Sequence, residues 1–364
     1  MTQEEVEYQK EFYQNASQEL QERLERLDKD EGLSPATVGK RKHELICAHR
    51  LKFGRHPFVC SKCWSYLPVC VCHLATRSSK EWKYKNLLQV LVWTHHREWG
   101  LTSNTGSILG LTLGNNDASS HVVDTTHIDP STDENNPCRL LMKGLPKHDE
   151  ILQNILDDSA RKREGDDESH GVDHDGSTLV VVLWPSSNPE NAITLPQLRR
   201  ELEASDPNNC FDSNPHEEVS DAMVSSSQKK IVLLAVDGTW RNARRMVAKL
   251  PSHVKRLDLD ESTIRWNDSK ATGDENSPSE DSSSMLSILA PLRRRGPSGK
   301  ENQKTDLKVN ASSLDNEKRQ VCTAEAVVAA LHEVGAIDTE LAQQVLYATQ
   351  TKVDRVRRYR GKVQ

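Results

Sequence analysis

The chain has 364 residues, enough for two average domains or one large domain with insertions. Hydrophobic residues make up only 35% and the mean hydropathy is -0.70, so apolar side chains must gather in a few segments that long polar stretches separate, which favours one domain with insertions. A formal net charge of -6 excludes a uniformly basic nucleic-acid coat but leaves room for local basic patches.

Residues 4 to 31 have a helical pattern, with Leu20, Leu24 and Leu27 on one face and Glu and Arg elsewhere; Gly32 and Pro35 end it. The acidic start (Glu4, Glu5, Glu7, Glu11) does not look like a signal or transit peptide, and no run of about 18 apolar residues is present. A cytosolic or nuclear protein with no membrane contact and no obligate protein partner is the expectation. A second amphipathic piece starts near Pro35 and carries Ile46 and Leu51.

Four of the eight cysteines then fall within thirteen residues, as Cys60-Ser-Lys-Cys63 and Cys70-Val-Cys72. Four thiolates are what a tetrahedral Zn²⁺ takes, and a closed four-sulfur site leaves no position for substrate, so Cys60, Cys63, Cys70 and Cys72 read as a structural zinc element. Disulfides are the alternative, weaker without a secretory segment. Cys47, Cys138, Cys210 and Cys322 are scattered and read as ordinary thiols.

Residues Leu87 to Trp93 form a strand that ends in the polar cluster Thr94-His-His-Arg-Glu98, with Asn104 and Thr105 close behind. Such a cluster can bind a polar ligand. His95 and His96 can equally lie on the surface, and adjacent histidines in a loop make a poor metal site. Ile108 to Leu113 packs back on the sheet as helix or strand. Leu179 to Leu183 is another short buried strand, ending in Trp184, Pro185, Ser186 and Ser187. Polar segments near 114 to 137, 157 to 177, 204 to 229, 267 to 284 and 298 to 319 lack the apolar surface to offset their ordering entropy and read as flexible insertions.

The central stretch is Ile231 to Leu250, IVLLAVDGTWRNARRMVAKL. Ile231 to Val236 reads as a strand buried on both faces. It stops at Asp237, Gly238 permits a tight turn, and Ala243, Met246, Val247 and Leu250 recur at helical spacing from Thr239 onward. In open α/β sheets ligands sit at the carboxyl ends of strands, which is where Asp237, Thr239 and Trp240 stand. The structural alternative is that Asp237 or Thr239 caps the helix and Trp240 lies in the core. Met285 to Leu292 is apolar and runs into Arg293, Arg294 and Arg295; a helix begins within Val321 to Leu331, with Thr323 suited to its cap and Glu325 to its first turn. The chain closes on Lys352, Arg355, Arg357, Arg358, Tyr359, Arg360 and Lys362, a basic end suited to phosphate contact or to a solvated helix face.

The Asp-Gly-Thr-Trp at 237 to 240, followed by Arg241-Asn-Ala-Arg-Arg-Met246, resembles the signature of the DTW-domain family of tRNA-uridine aminocarboxypropyltransferases. Four more stretches resemble that family in order: the cysteine pairs, His95 to Glu98 with Asn104 to Gly106, Leu183 to Ser186, and Cys322 to Ala326. His96 stands where the family usually has Pro, Ser103 where it often has Thr, and Cys322 where it has Ser.

The resemblance implies a SPOUT-like knotted α/β domain over residues 55 to 335, after a helical extension at 1 to 54 and before a C-terminal helix and basic tail at 336 to 364. It also implies S-adenosylmethionine as co-substrate, tRNA as partner and acp3U as product. On that reading Asp237 is the base and Glu98 the second candidate. Thr239, Asn104 and Thr105 hold the amino-acid end of the co-substrate, with Leu183, Trp184, Pro185, Ser186, Gly238 and Thr323 around it. Trp240 or Trp184 flanks adenine or uracil. Arg241, Arg244, Arg245, Arg293, Arg294, Arg357 and Arg358 grip RNA. RNA methyl transfer and a non-catalytic zinc-containing RNA-binding module are the alternatives.

Overall fold

The structure is a computed structural model and describes residues 3–74, 82–84, 87–114, 133–161, 178–186, 188–206, 229–259 and 322–363. The expected insertions lie largely outside the described residues, as do Cys210, Met285 to Leu292 and Arg293 to Arg295.

Among the described residues six strands form one sheet: β1 (Leu88–His95), β2 (Cys138–Lys143), β3 (Thr178–Leu183), β4 (Ala192–Ile193), β5 (Lys230–Asp237) and β6 (Lys255–Leu257), in the order β2-β1-β5-β3-β6-β4. Every neighbouring pair is parallel. All strands therefore end at the same edge, the edge where open α/β sheets carry their ligands. The two central strands are apolar on both faces because both faces are covered. Val90, Val92, Leu233 and Ala235 pack against one cluster, and Leu91, Trp93, Val232 and Leu234 against the other. Each fully buried side chain of this size contributes roughly 1.5–3 kcal/mol.

The first face is covered by α3 (Gly106–Thr112), α5 (Leu195–Ser205), α7 (Thr323–Glu333) and α8 (Thr339–Val363). Ile108 and Leu109 thus belong to a helix, resolving the helix-or-strand ambiguity of that stretch. The second face is covered by α4 (Pro146–Arg161) and α6 (Trp240–Val247), through Leu152, Leu156, Met246 and Val247. The residues of α8 share the core of the sheet domain, with Leu341, Val345 and Leu346 inside it.

At the N-terminus α1 (Gln3–Asp28) and α2 (Pro35–Phe53) form a helical pair; Ser34 caps α2 by accepting a hydrogen bond from Thr37 N at 3.2 Å. Cys47 of α2 joins Trp64, Trp99, Met142 and Leu145 in a third apolar cluster, which ties the pair to the cysteine element and to the end of β2. No helix among the described residues is long and apolar enough to cross a membrane.

Candidate active site

The turn after β5 holds the best-connected carboxylate of the sheet edge. Asp237 is only 7% exposed. Its Oδ1 accepts from the Thr323 hydroxyl at 2.8 Å, and its Oδ2 accepts from the Asn104 side-chain amide. Asn104 is itself held, because its Oδ1 accepts from Gly106 N at 2.8 Å. Residue 106 is glycine for a steric reason: a Cβ there would sit 3.0 Å from both Asp237 Oδ2 and Val92 Cγ1. Thr94 faces Asp237 in the β1–β5 register; it is fully buried, and its hydroxyl has no hydrogen-bond partner among the described residues. A buried hydroxyl left unpaired is costly, and this one lies on the strand position opposite Asp237.

Thr323 does not cap α7, contrary to the expectation from sequence. The cap is Cys322, whose backbone N donates to Glu325 Oε2 at 2.6 Å, and Thr323 lies one residue inside, with its hydroxyl released to Asp237. Asp237 does not cap α6 either. Thr239 does, accepting from Asn242 N at 3.4 Å, which leaves Thr239 with the structural duty that the sequence allowed.

A lysine supports this cluster from below. Lys352 of α8 is fully buried and its Nζ donates to the carbonyls of Asn104 and Cys63 and, at 2.8 Å, to Ser107 Oγ. Burial pushes its pKa down to about 8, opposed by the nearby charges of Cys63 and Asp237. The residue binding the loop under Asp237 therefore also binds the cysteine element.

In that element the sulfurs of Cys60 and Cys72 lie 3.5 Å apart, those of Cys63 and Cys70 lie 3.6 Å apart, and all four fall within 4.8 Å of one another with no disulfide among them. Sulfurs at tetrahedral Zn–S bonds of about 2.3 Å are roughly 3.8 Å apart, so the spacing suits a metal ion and zinc fits it. The sulfurs of Cys60, Cys70 and Cys72 draw the Cys63 thiol towards thiolate. Trp64, between the pairs, has a φ of 55°, unusual for a bulky side chain and consistent with a turn that four ligands would fix.

At the mouth of the site Trp184 and Trp240 stack with centroids 4.6 Å apart and planes at 18°, and the Arg244 guanidinium lies 5.5 Å from the Trp240 ring. Trp240 is 55% exposed, so the core reading of that residue is overturned. Arg241, Arg244 and Arg245 are exposed along α6. Leu183 packs towards the core, Pro185 is exposed, and Ser186 is turned to its own loop, donating to Asn188 O at 2.6 Å. Gly238 lies against His95, whose Cβ would be 3.4 Å from an added Cβ, an ordinary contact. Thr105 is buried beside Cys322. The Glu98 backbone N closes a turn on His95 O at 2.7 Å, and its carboxylate acts on Arg55.

A family model described as the DTW domain matches residues 57–270, more than half of the chain. The chain belongs to the DTW-domain family. This is a family associated with tRNA modification. No curated protein and no solved structure matches the chain. The family match ends at residue 270, so Cys322 to Ala326, α8 and the N-terminal helices lie outside it. The structure nevertheless brings Thr323 and Lys352 to the Asp237 cluster of the DTW domain.

The basic C-terminus is more committed than its composition suggested. Beside the buried Lys352, Arg355 donates to Cys70 O at 3.1 Å, Arg360 donates to Thr102 Oγ1 at 2.6 Å, and Tyr359 packs on Tyr66 with centroids 4.9 Å apart. Lys352, Arg355 and Tyr359 hold the cysteine element and Arg360 the loop before α3, whereas Arg357 and Arg358 stay exposed. Ser107 was not singled out from sequence, Thr94 entered only as the first residue of a polar cluster, and Lys352 only as part of a basic end suited to phosphate contact or a solvated face. A lysine flanked by arginines on one helix carries no local sign of burial, and Thr94 reads as the tail of a strand.

Proposed function

We propose that this DTW-domain chain is a tRNA-uridine aminocarboxypropyltransferase, which moves the 3-amino-3-carboxypropyl group of S-adenosylmethionine to N3 of a uridine, forming acp3U and methylthioadenosine. The observation that carries the reading is the Asp237 carboxylate, buried at the carboxyl end of a central parallel strand and oriented by Asn104 and Thr323. The six-stranded parallel sheet supports the α/β class, of which a SPOUT-like knotted arrangement is our finer proposal.

When bound, S-adenosylmethionine supplies a sulfonium whose Cγ is open to displacement. The chain has then to orient Cγ rather than activate it. Uridine N3 carries a proton that must leave as the N3–Cγ bond forms and the Cγ–S electron pair returns to sulfur. Asp237 takes that proton: the Asn104 amide and the Thr323 hydroxyl orient its carboxylate at the strand end, and a carboxylate so placed is the base that the departing N3 proton needs. The unpaired Thr94 hydroxyl and the Asn104–Thr105 turn face the polar amino-acid end. The exposed Trp240 ring, stiffened by Trp184, offers a stacking surface for an extruded base, and Arg241, Arg244 and Arg245 lie on the same helix for phosphates. Cys60, Cys63, Cys70 and Cys72 would hold a zinc ion, which would fix the element on which Lys352 and Arg355 lean.

The test is the small coproduct. Purified protein incubated with S-adenosylmethionine and tRNA is expected to release methylthioadenosine. Release of S-adenosylhomocysteine would assign methyl transfer, and tRNA binding with no coproduct would assign a non-catalytic RNA-binding module.

A further inference from the structure

The N-terminal helix pair lies outside the DTW match, yet α2 reaches the strand edge. The His43 ring meets the His96 ring edge to face at 4.4 Å, and His96 lies 4.3 Å from His95, the last residue of β1. Arg50 donates to the carbonyl of His96 at 2.9 Å. His95 pairs in register with Lys143 at the end of β2, and Lys143 Nζ lies 5.2 Å from the Trp93 ring. The backbone of residue 144 must be glycine here, at φ 89°, since a Cβ would meet His43 Nε2 at 2.0 Å. The result is a half-buried pocket of imidazoles and cations, reached from one side by the helical extension and from the other by the sheet.

Its charge balance is positive. Arg50, Arg97 and Lys143 all lack a carboxylate within ion-pair distance among the described residues. Lys249 adds a cation near Lys143, and Asp149, whose two oxygens also accept from Gly144 N at 3.0 and 3.2 Å, is the one acid that bears on Lys143. His95 and His96 are neutral: burial, then the surrounding cations, pushes His95 down to about 4, and burial, then His95, pushes His96 down to about 3. His95 Nδ1 accepts from Arg97 N at 3.2 Å, so its proton sits on Nε2 and that nitrogen is a donor. Cations in excess of carboxylate next to a neutral N–H donor are the donor set of an anion site. The pocket adjoins the catalytic turn, because His95 packs on Gly238, the neighbour of Asp237.

We propose that this pocket seats a phosphodiester of the RNA strand beside the target nucleotide, so that the N-terminal helical pair completes the RNA site of the DTW domain. The inference rests on RNA being the substrate, as proposed above, and takes a phosphodiester over the carboxylate of the co-substrate because Arg50, Arg97 and Lys143 outnumber the Asp149 carboxylate beside them.

The experiment measures tRNA binding by the full-length protein over a potassium chloride series, for wild type, Arg97→Gln and Lys143→Gln, with S-adenosylmethionine binding measured in parallel by calorimetry. Arg97 is exposed, so Arg97→Gln tests the pocket at little cost to folding. Each variant is expected to lose about one from the slope of log K against log salt and to bind tRNA several-fold more weakly, with S-adenosylmethionine affinity unchanged. Unchanged slopes and tRNA affinities in both variants overturn the proposal. So does a loss of S-adenosylmethionine affinity at constant slope, which would make the pocket a carboxylate site. Because the readout is binding, a lowered slope in a protein that releases no methylthioadenosine keeps the pocket and removes the transferase reading instead.

Discussion

Replacing Lys352 by methionine separates the positioning role of this lysine from a structural one. Methionine fills the same channel but removes the donor to the Asn104 carbonyl, the Cys63 carbonyl and Ser107 Oγ. The Cys63 carbonyl keeps a partner, since Ser107 Oγ also donates to it at 3.0 Å. The main loss is one buried carbonyl without its ammonium, which costs ~1–3 kcal/mol. Against this stands the relief of burying a charge: the fall from 10.5 to about 8 corresponds to ~3 kcal/mol. The two nearly cancel, so stability should stay within ~2 kcal/mol of wild type, as for other buried charges exchanged for apolar groups. Catalysis has no such compensation. Asn104 loses the hold on its backbone, and its side chain orients Asp237, so a shift approaching 1 Å at the carboxylate costs on the order of 10–100-fold in turnover. Urea unfolding and single-turnover release of methylthioadenosine measure the two quantities, with kcat falling more than KM rises. Turnover within twofold of wild type, or a loss of stability large enough to unfold the protein in the assay, would refute the reasoning.

Asp237→Asn keeps the shape but places an amide donor against either Asn104 or Thr323, so turnover should fall ~10²–10⁴-fold with a stability loss of ~1–3 kcal/mol, read from the same two assays. Gly106→Ala presses a methyl on Asp237 Oδ2 and Val92 and should cut turnover at least ~10-fold at a stability cost of ~1–3 kcal/mol; Gly110→Ala, which meets only the flexible Leu140, should cost stability and spare turnover. Purified protein should carry zinc by elemental analysis, and stripping it with a chelator should lower the melting temperature by several degrees and loosen α8 in hydrogen exchange, because Cys63 and Cys70 carry the carbonyls that Lys352 and Arg355 hold.

The strands that build the site were legible where burial on both faces writes a continuous apolar run, as in β1, β3 and β5. Strands β4 and β6 were not, being two and three residues long, and β2 hides behind Arg139, a charged residue that is 3% exposed. The cysteine spacing announced a metal-sized cluster because four ligands within thirteen residues leave few other geometries. Asp237 could be placed at a strand end, but not its partners. Thr323 lies 86 residues away, and its release from capping depends on Cys322 and Glu325 closing the helix end without it. Lys352 and the His43–His96 contact were hidden for the same reason: a side chain's burial and neighbours are set by packing between distant segments, which periodicity within one helix does not encode.

Two samples of S-adenosylmethionine, one labelled in the carboxyl group and one in the methyl group, test the central claim most directly when each is incubated with purified protein and tRNA. Label is expected in the tRNA from the carboxyl sample alone, in a nucleoside with the mass of acp3U after digestion. Label entering from the methyl sample, or from neither, would contradict the assignment of Asp237 and its partners to aminocarboxypropyl transfer.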